Sequence, residues 1–291
     1  MYDTFVLGQI SLDINVNHDG TEIRESGGAV IYSGFVAGSI GHKTAVLPKG
    51  NPGDVDPIAA FSRARNVDVF PVASARSTSI KNVYHSPDKE RRTSTAISRI
   101  DPYRPSDIPP DVKTKIYHIA GLMRGDLGDD IIAWCHGKAL VALDVQGVLR
   151  CVEDGAMVFH DWAEKKTWLP KIDFLKTDAF EAEIMTGTAD RTEAAKLLHS
   201  WGAREIMITH NTEALVYDGK DIYTRPLKPR NLSGRSGRGD TCFSTYITER
   251  LNRPIDEALL FAAAAVSLKM EKPGPFNLGR EAVEEYIREF Y

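Results

Sequence analysis

The chain has 291 residues, of which 42% are hydrophobic and 26% charged, and its formal net charge is −4. This composition excludes a mainly disordered chain, and 36 basic against 40 acidic residues, without a long basic tract, argue against a nucleic-acid partner. No run of about 18 apolar residues is present, so no membrane partner is predicted.

The opening residues and the cysteines both favour a cytoplasmic protein. The segment MYDTFVLGQISLD lacks the basic flank, the apolar stretch and the small-residue cleavage site of a secretory signal. The three cysteines, Cys135, Cys151 and Cys242, are odd in number and form no Cys-x-x-Cys pair, so we expect reduced thiols.

The first part of the chain alternates strand and helix patterns. Asp19-Gly20 follows alternating apolar residues and predicts a hairpin, because Asp-Gly accommodates the positive φ angles of a tight turn. The other predicted elements are a strand at 4–9, a helix at 28–40, a strand at 44–48, a helix near 54–65 and a strand at 67–72. This order is typical of a sheet with crossover helices.

Residues 75–101 interrupt this rhythm with a basic stretch rich in serine and threonine. Its short alternating runs predict extra strands outside the main sheet, in a small β appendage. The alternative is a solvated charged hairpin without a function, because most charge runs only face water.

The alternation then resumes and continues to the end of the chain. A second Asp-Gly pair, Asp218-Gly219, predicts another hairpin. The remaining elements are strands at 115–120, 138–144, 172–177 and 204–209, and helices near 126–136, from 178, near 190–201, and at about 240–252, 254–271 and 280–290. The sequence therefore predicts one α/β domain over residues 1–291.

The strongest local signal is the glycine-rich segment SGRSGRGD, residues 233–240, directly before a predicted helix. Backbone N–H groups at such a junction, together with the helix dipole, suit a phosphate. Asp240 at the same place would repel a phosphate unless it acts on a partner group. The alternative for Asp240 is an ordinary helix cap, and the local pattern leaves the two interpretations open.

Several enzyme classes are excluded by missing motifs. The chain has no GxxxxGK[ST], no GxSxG, no HExxH and no early GxGxxG. A P-loop nucleoside triphosphatase, an α/β-hydrolase, a zinc protease and a dinucleotide oxidoreductase are therefore not supported.

Four segments in register resemble the ribokinase-like (PfkB) carbohydrate kinases. They are Gly27-Gly28 before a helix, GNPGD at 50–54, DAFEAEIMTG at 178–187 and GRGD at 237–240. The resemblance covers essentially the whole chain. It implies a central, mainly parallel sheet flanked by helices on both faces, a β-strand lid formed by about 11–26 and 73–101, and ATP-dependent phosphorylation of a hydroxyl.

The resemblance also implies roles for individual residues. Asp240 matches the catalytic base, and Gly237, Arg238 and Gly239 match the anion hole, where Arg238 replaces a usually small residue. Donor contacts are implied for Gly237, Gly239, Thr209 and Gly274, although the segment after Thr209 lacks the usual glycines.

Substrate and metal residues follow from the same resemblance. Asp178, in place of the usual asparagine, and Glu181 match the pair that places Mg²⁺. The substrate residues are Asp13, Gly27, Gly28, Tyr32, which stands where many sugar kinases have asparagine, and Gln146, in a DVQG segment similar to that of inositol kinases.

The expected activity is an ATP- and Mg²⁺-dependent kinase of a small polyhydroxylated substrate, a sugar or cyclitol. A nucleoside kinase of the same family and a non-catalytic sugar- or nucleotide-sensing protein are the alternatives. A homodimer through the lid is an expectation from the resemblance alone.

Overall fold

The computed structural model describes residues 1–86 and 91–291. In this part of the chain, nine strands form the main sheet in the order β17-β16-β15-β14-β11-β10-β1-β4-β6. They are β1 Tyr2–Leu7, β4 Thr44–Leu47, β6 Val67–Val69, β10 Thr114–Ile119, β11 Leu140–Asp144, β14 Phe174–Asp178, β15 Glu205–Thr209, β16 Glu213–Tyr217 and β17 Ile222–Pro226. The predicted α/β architecture is confirmed.

Seven neighbouring strands of this sheet run parallel, and β16 pairs antiparallel with both β15 and β17, so β16 alone runs in the opposite direction. The carboxyl ends of the parallel strands therefore meet at one edge. Ligands of open α/β sheets bind outside this edge. It is the edge at which Asp144 ends β11 and Asp178 ends β14.

Helices cover both faces of the main sheet. They are α1 Ala29–Ser39, α2 Pro57–Ala60, α3 Asp129–Cys135, α4 Gln146–Leu149, α5 Lys165–Trp168, α6 Ala179–Thr186, α7 Arg191–Ser200, α8 Arg238–Glu249, α9 Ile255–Met270 and α10 Arg280–Phe290. One apolar core joins the sheet to α3, α6 and α7, and others join it to α1, α8 and α9. In α10, Val283 and Tyr286 pack against α1 and α9.

A second sheet of six strands, which we call the lid sheet, has the order β12-β13-β9-β8-β2-β3. Its strands are β2 Ser11–Val16, β3 Glu22–Gly27, β8 Thr78–Tyr84, β9 Arg92–Ser98, β12 Arg150–Glu153 and β13 Ala156–Phe159. It is built from the two segments predicted for the lid, of which residues 87–90 lie outside the described residues, and from an additional hairpin. A short pair, β5 Lys49–Gly50 with β7 Val72–Ala73, completes the strands.

Two local expectations need correction. The helix predicted near 54–65 is a single turn, α2, because only Phe61 of this segment is fully buried and the apolar surface available to stabilise a longer helix is small. The β12–β13 hairpin was not predicted, although its turn, Asp154-Gly155, has the positive φ angles that Asp-Gly favours.

Two further observations concern the cysteines and the helices. All three cysteines are free. Within residues 1–86 and 91–291, no helix is long and apolar enough to cross a membrane.

Candidate active site

The glycine-rich loop ends at Gly237, where α8 begins. Gly237 has a φ of +73°, and a Cβ atom there would lie 2.1 Å from the Tyr32 ring, so the position requires glycine. Asp240 lies in the first turn of α8, but no side chain of the described residues caps this helix. The simple capping role is therefore wrong, and the Asp240 carboxylate is left for another use.

Asp240 is half-buried among charged groups at the sheet edge. Burial raises its pKa to about 6, and the nearby Asp144 adds to the increase, while Lys176, Arg150 and Lys269 oppose it. A carboxylate with this pKa is still ionised at neutral pH and accepts a proton more readily than an ordinary aspartate.

Lys176 is a buried cation that the sequence patterns did not single out. Its Nζ lies 3.0 Å from Oδ2 of Asp144 and 3.7 Å from Oε2 of Glu181. It also packs beside Gly239, where a Cβ atom would lie 3.4 Å from the ammonium. The signal available in the sequence is a lysine in the middle of a buried strand, FLKTD, where a charge needs partners.

Asp178 and Glu181 form a reciprocal cap at the start of α6. Glu181 Oε2 accepts the Asp178 N–H at 2.8 Å, and Asp178 Oδ1 accepts the Glu181 N–H at 2.8 Å. Burial raises the pKa of Glu181 to about 7, with Lys176 opposing the increase.

This cap limits how the pair would hold Mg²⁺. One oxygen of each carboxylate is occupied, and the Lys176 ammonium disfavours a bare cation beside Glu181. No group of three or more His, Cys, Asp or Glu among the described residues is arranged to hold a metal directly. The two remaining oxygens, one on each carboxylate, could hold an ion only through water, and the role in placing Mg²⁺ that the resemblance implies for this pair stays a prediction.

The face of the lid sheet that looks towards the main domain carries polar side chains. Asp13 has a buried oxygen, Oδ1, without a hydrogen-bond partner among the described residues, and burial raises its pKa. A Cβ atom added to Gly27 would lie only 2.6 Å from the other Asp13 oxygen, Oδ2. Gly28 has a φ of +106° and packs on the Gln9 carbonyl, so Gly27 makes room for the Asp13 side chain and Gly28 for the backbone just before β2.

A hydrogen-bonded row crosses four strands of the same face. Ser94 donates to Asn82 at 2.7 Å, Asn82 donates to Asn15 at 3.0 Å, and Asn15 donates to Glu25 at 2.7 Å. Each amide is thereby held in one orientation, with its remaining donors and acceptors fixed. Such a row suits a ligand with many hydroxyl groups.

Tyr32 lies where these groups converge. Burial raises its pKa, and the carboxylates Glu25, Asp240 and Asp13 raise it further. The lid acids Glu25 and Asp13 and the α8 acid Asp240 therefore all lie near enough to Tyr32 to influence its pKa. The structure brings the predicted residues Tyr32, Asp13, Gly237 and Asp240 together.

Gln146 and Arg150 join the lid to the same cleft. Gln146 accepts a hydrogen bond of 2.6 Å from Arg150, whose guanidinium lies 5.4 Å from the Phe159 ring centroid. The buried Nε atom of Arg150 has no hydrogen-bond partner among the described residues. Burial lowers the pKa of Arg150, while the negative charges of Asp144 and Asp240 oppose this decrease. The inositol-kinase-like segment that pointed to Gln146 also includes Arg150, for which no contact was predicted.

The remaining predicted donor residues are less closely tied to this cluster. The Thr209 hydroxyl donates to the Thr177 carbonyl at 3.3 Å, within the sheet. Gly274 has a φ of +85°, and a Cβ atom added there would have no described atom within 4 Å beyond its chain neighbours. Lys272, two residues before Gly274, instead contacts the glycine-rich loop, since a Cβ atom on Gly234 would lie 1.8 Å from the Lys272 carbonyl oxygen.

Comparisons with known proteins agree with this geometry. A family model described as pfkB family carbohydrate kinase matches residues 142–280. The chain is 21% identical to a cytidine kinase of Thermococcus kodakarensis, over 96% of this chain and 99% of that protein.

Two solved structures are similar over nearly their whole length. The first is a sulfate complex of a pyrophosphate-dependent kinase in the ribokinase family, with 35% identity, a TM-score of 0.88 and coverage of 97% of this chain and 99% of that one. The second is a pyrophosphate-dependent myo-inositol-1 kinase converted into a myo-inositol-3 kinase by replacing an asparagine and a serine with leucine. It has 33% identity, a TM-score of 0.86 and 99% coverage of both chains.

Proposed function

This chain belongs to the ribokinase family, the pfkB carbohydrate kinases, and from that premise we propose that it phosphorylates one hydroxyl of an inositol-like cyclitol, with pyrophosphate as donor. It is a phosphotransferase with an alcohol acceptor. The observation that carries the proposal is the convergence of Asp240, the start of α8 and the polar face of the lid sheet around Tyr32.

The polar row of the lid sheet supports a polyhydroxylated acceptor. Asn15, Asn82 and Ser94 offer fixed amide and hydroxyl groups, and Asp13 has an unpartnered buried oxygen. A cyclitol presents a ring of hydroxyls that donate and accept hydrogen bonds. The myo-inositol kinase at 33% identity supports the same choice.

Contacts on the donor side favour a donor without a nucleobase. The N–H of Gly234 donates to the Met270 carbonyl at 2.7 Å, and Gly234 packs directly on Lys272. Arg230 and Glu271 form a two-pronged ion pair beside them. The glycine-rich loop is therefore held against the end of α9, and this close contact supports a compact donor over one whose planar base would have to enter between these segments. ATP, the donor predicted from the sequence, is the alternative.

Catalysis would use the groups already present at the start of α8. Asp240 would take the proton of the acceptor hydroxyl as its oxygen bonds to the donor phosphorus, while the bond to the bridging oxygen breaks and phosphate leaves. The α8 amides, Arg238 and Lys176 would balance the negative charge of the group in transfer. Magnesium, held through water by Asp178 and Glu181, would neutralise donor charge.

A matrix of donors and acceptors tests the proposal. Purified protein is incubated with pyrophosphate or ATP and with myo-inositol, other inositols, hexoses, pentoses or nucleosides, and products are identified by phosphorus NMR. We expect a cyclitol monophosphate and free phosphate from pyrophosphate. Turnover of nucleosides alone would replace the cyclitol assignment, turnover with ATP alone would replace the donor assignment, and binding without turnover would indicate a sensor.

A further inference from the structure

Lys269, in the last turn of α9, is a buried lysine whose ammonium reaches the glycine-rich loop. The residue is only 3% exposed. Its Nζ donates to the Gly234 carbonyl at 2.6 Å and to the Ser236 carbonyl, and it lies 5.2 Å from the centroid of the Tyr32 ring. No motif in the sequence pointed to this residue, and the reaction described above does not use it.

The two carbonyl contacts fix the direction of two peptide groups. In a planar trans peptide, the C=O of one residue and the N–H of the next point in opposite directions. Because Lys269 holds the Gly234 and Ser236 carbonyls on its own side, the N–H groups of Arg235 and Gly237 are turned to the other side of the loop. The Gly237 N–H belongs to the junction where α8 begins.

The charge of Lys269 is only partly balanced by these contacts. An ammonium has three N–H donors, and two are used on neutral carbonyls. The carboxylates that interact electrostatically with the Lys269 ammonium are Asp240 on α8 and Glu25 on β3. A buried cation without a full ion pair is costly, and an anion bound at the loop would relieve that cost.

We propose that Lys269 is a positioning residue of the donor site, which orients the loop amides towards the donor phosphates and adds a positive charge behind them. This inference rests on the proposed function, because it takes the start of α8 as the place where the donor binds. It explains why a lysine is buried in a helix whose other buried residues carry no charge.

Two substitutions and one control test this role. Lys269→Met removes the charge and both hydrogen bonds, and Lys269→Arg keeps the charge. Lys49→Met is the matched control, because Lys49 is also a buried lysine bonded to a carbonyl, that of Pro102, but lies away from the loop. The measurements are the KM for pyrophosphate, the KM for myo-inositol, the inhibition constant of sulfate and the melting temperature of each protein.

We expect Lys269→Met to raise the KM for pyrophosphate and the inhibition constant of sulfate by roughly 10- to 100-fold, the effect of losing charge-assisted hydrogen bonds. The KM for myo-inositol stays within about 2-fold, as in a pure donor-side effect. Lys269→Arg recovers part of the loss, and Lys49→Met lowers only the melting temperature. Unchanged donor constants in a folded Lys269→Met protein would overturn the inference.

The pH dependence of sulfate inhibition gives a second test that needs no variant. Burial lowers the pKa of Lys269 to about 8, while Asp240 and Glu25 oppose the decrease, and the Tyr32 hydroxyl beside it stays neutral because its own pKa is raised. Sulfate does not titrate in this range. Its affinity for the wild type should therefore fall above about pH 8, and the fall should be absent in Lys269→Arg.

The outcomes separate this inference from the proposed function. A sulfate affinity that stays constant from neutral pH to well above pH 8 contradicts the role of Lys269, even if Lys269→Met does not fold. If the wild-type protein binds neither sulfate nor pyrophosphate and shows no turnover with pyrophosphate, the proposed donor fails, and the inference fails with it. Turnover with pyrophosphate and unaltered donor constants in Lys269→Met reject only the inference.

Discussion

Asp240 holds an ionised carboxylate in surroundings that disfavour its charge. Because its pKa in the folded protein is raised to about 6, the folded state binds more protons than the unfolded state between the ordinary aspartate pKa and about 6. Stability therefore falls as the pH rises through this window, and the charged form is the less favourable one at neutral pH. The group is retained at a cost to folding, which is typical of a functional residue.

Asp240→Asn should separate activity from stability. We expect turnover to fall by roughly 10²-fold or more through loss of the base, with a melting temperature equal to or above that of the wild type at pH 7.5 (about 1.5 units above the Asp240 pKa). Wild-type kcat should rise with pH through about 6. Asp256→Asn, which changes an exposed carboxylate on α9, is the control for both measurements. Unchanged turnover would remove Asp240 from catalysis.

Lys176 should be as important for folding as for catalysis. Its removal leaves Asp144 and Glu181 as buried carboxylates without their shared cation, so Lys176→Met should lower the free energy of unfolding by about 3–5 kcal/mol. Urea denaturation measures this directly. Combining Lys176→Met with Asp144→Asn should recover part of the loss, and a single-variant loss below about 1 kcal/mol would show that the carboxylates are already neutral.

The residues that belong to a linear motif could be predicted from the sequence, whereas the residues that contact each other only in the folded chain could not. Asp240 and Gly237 lie in one contiguous segment, and Asp178 and Glu181 are three residues apart on one helix start. Lys176 meets Asp144, and Lys269 meets Gly234, only when elements distant in sequence come together at the sheet edge. The position of these two lysines in the chain therefore contains no signal for those contacts.

At the scale of elements, prediction succeeded where apolar periodicity or turn chemistry was strong. The strands of the parallel sheet and the helices α6 to α10 were predicted within a few residues, because each buries an apolar face. The hairpins at Gly20 and Gly219 followed from Asp-Gly. The helix at 54–65 was wrong, and the β12–β13 hairpin was overlooked because its strands are short and only partly buried.

The hydrogen-bonded row of the lid sheet should determine which hydroxyl is phosphorylated. Replacing an asparagine and a serine with leucine converts the related myo-inositol-1 kinase into a myo-inositol-3 kinase. Asn82 and Ser94 are an asparagine and a serine bonded to each other on adjacent strands. We expect Asn82→Leu with Ser94→Leu to change the position of the phosphate on myo-inositol, as read by NMR of the product.

The control for this change lies on the opposite face of the lid sheet. Ser79→Leu alters a β8 serine that bonds the Leu12 carbonyl and alternates with the residues of the row. It should leave the product position unchanged. The same product from the wild type and the double variant would mean that the row does not select the hydroxyl.

At the scale of the whole molecule, the outer face of the lid sheet exposes an apolar stripe. Leu12, Ile14 and Val16 on β2 are partly exposed, and Ile97 on β9 is 55% exposed. We propose that a second copy of the chain covers this stripe in a homodimer, because such a surface favours burial against a partner. Sedimentation velocity should show a dimer that Ile14→Lys converts into a monomer. A monomeric wild type at micromolar concentration would contradict the proposal.

Three neighbouring strands of the lid sheet meet the main domain along one row, in which Ser11 pairs with both Gly27 and Thr78. The strand β12 is attached at its own start, where the Arg150 carbonyl accepts the Arg124 N–H at 2.7 Å. We expect the sheet to move as a flap hinged along these attachments. A swing of this flap would carry the distant tips furthest and leave Asp13 and Arg150, next to the hinge, almost still. The contacts to the acceptor would then be in place before the lid sheet closes. The movement of the lid sheet would chiefly govern whether water competes with the acceptor for the phosphate.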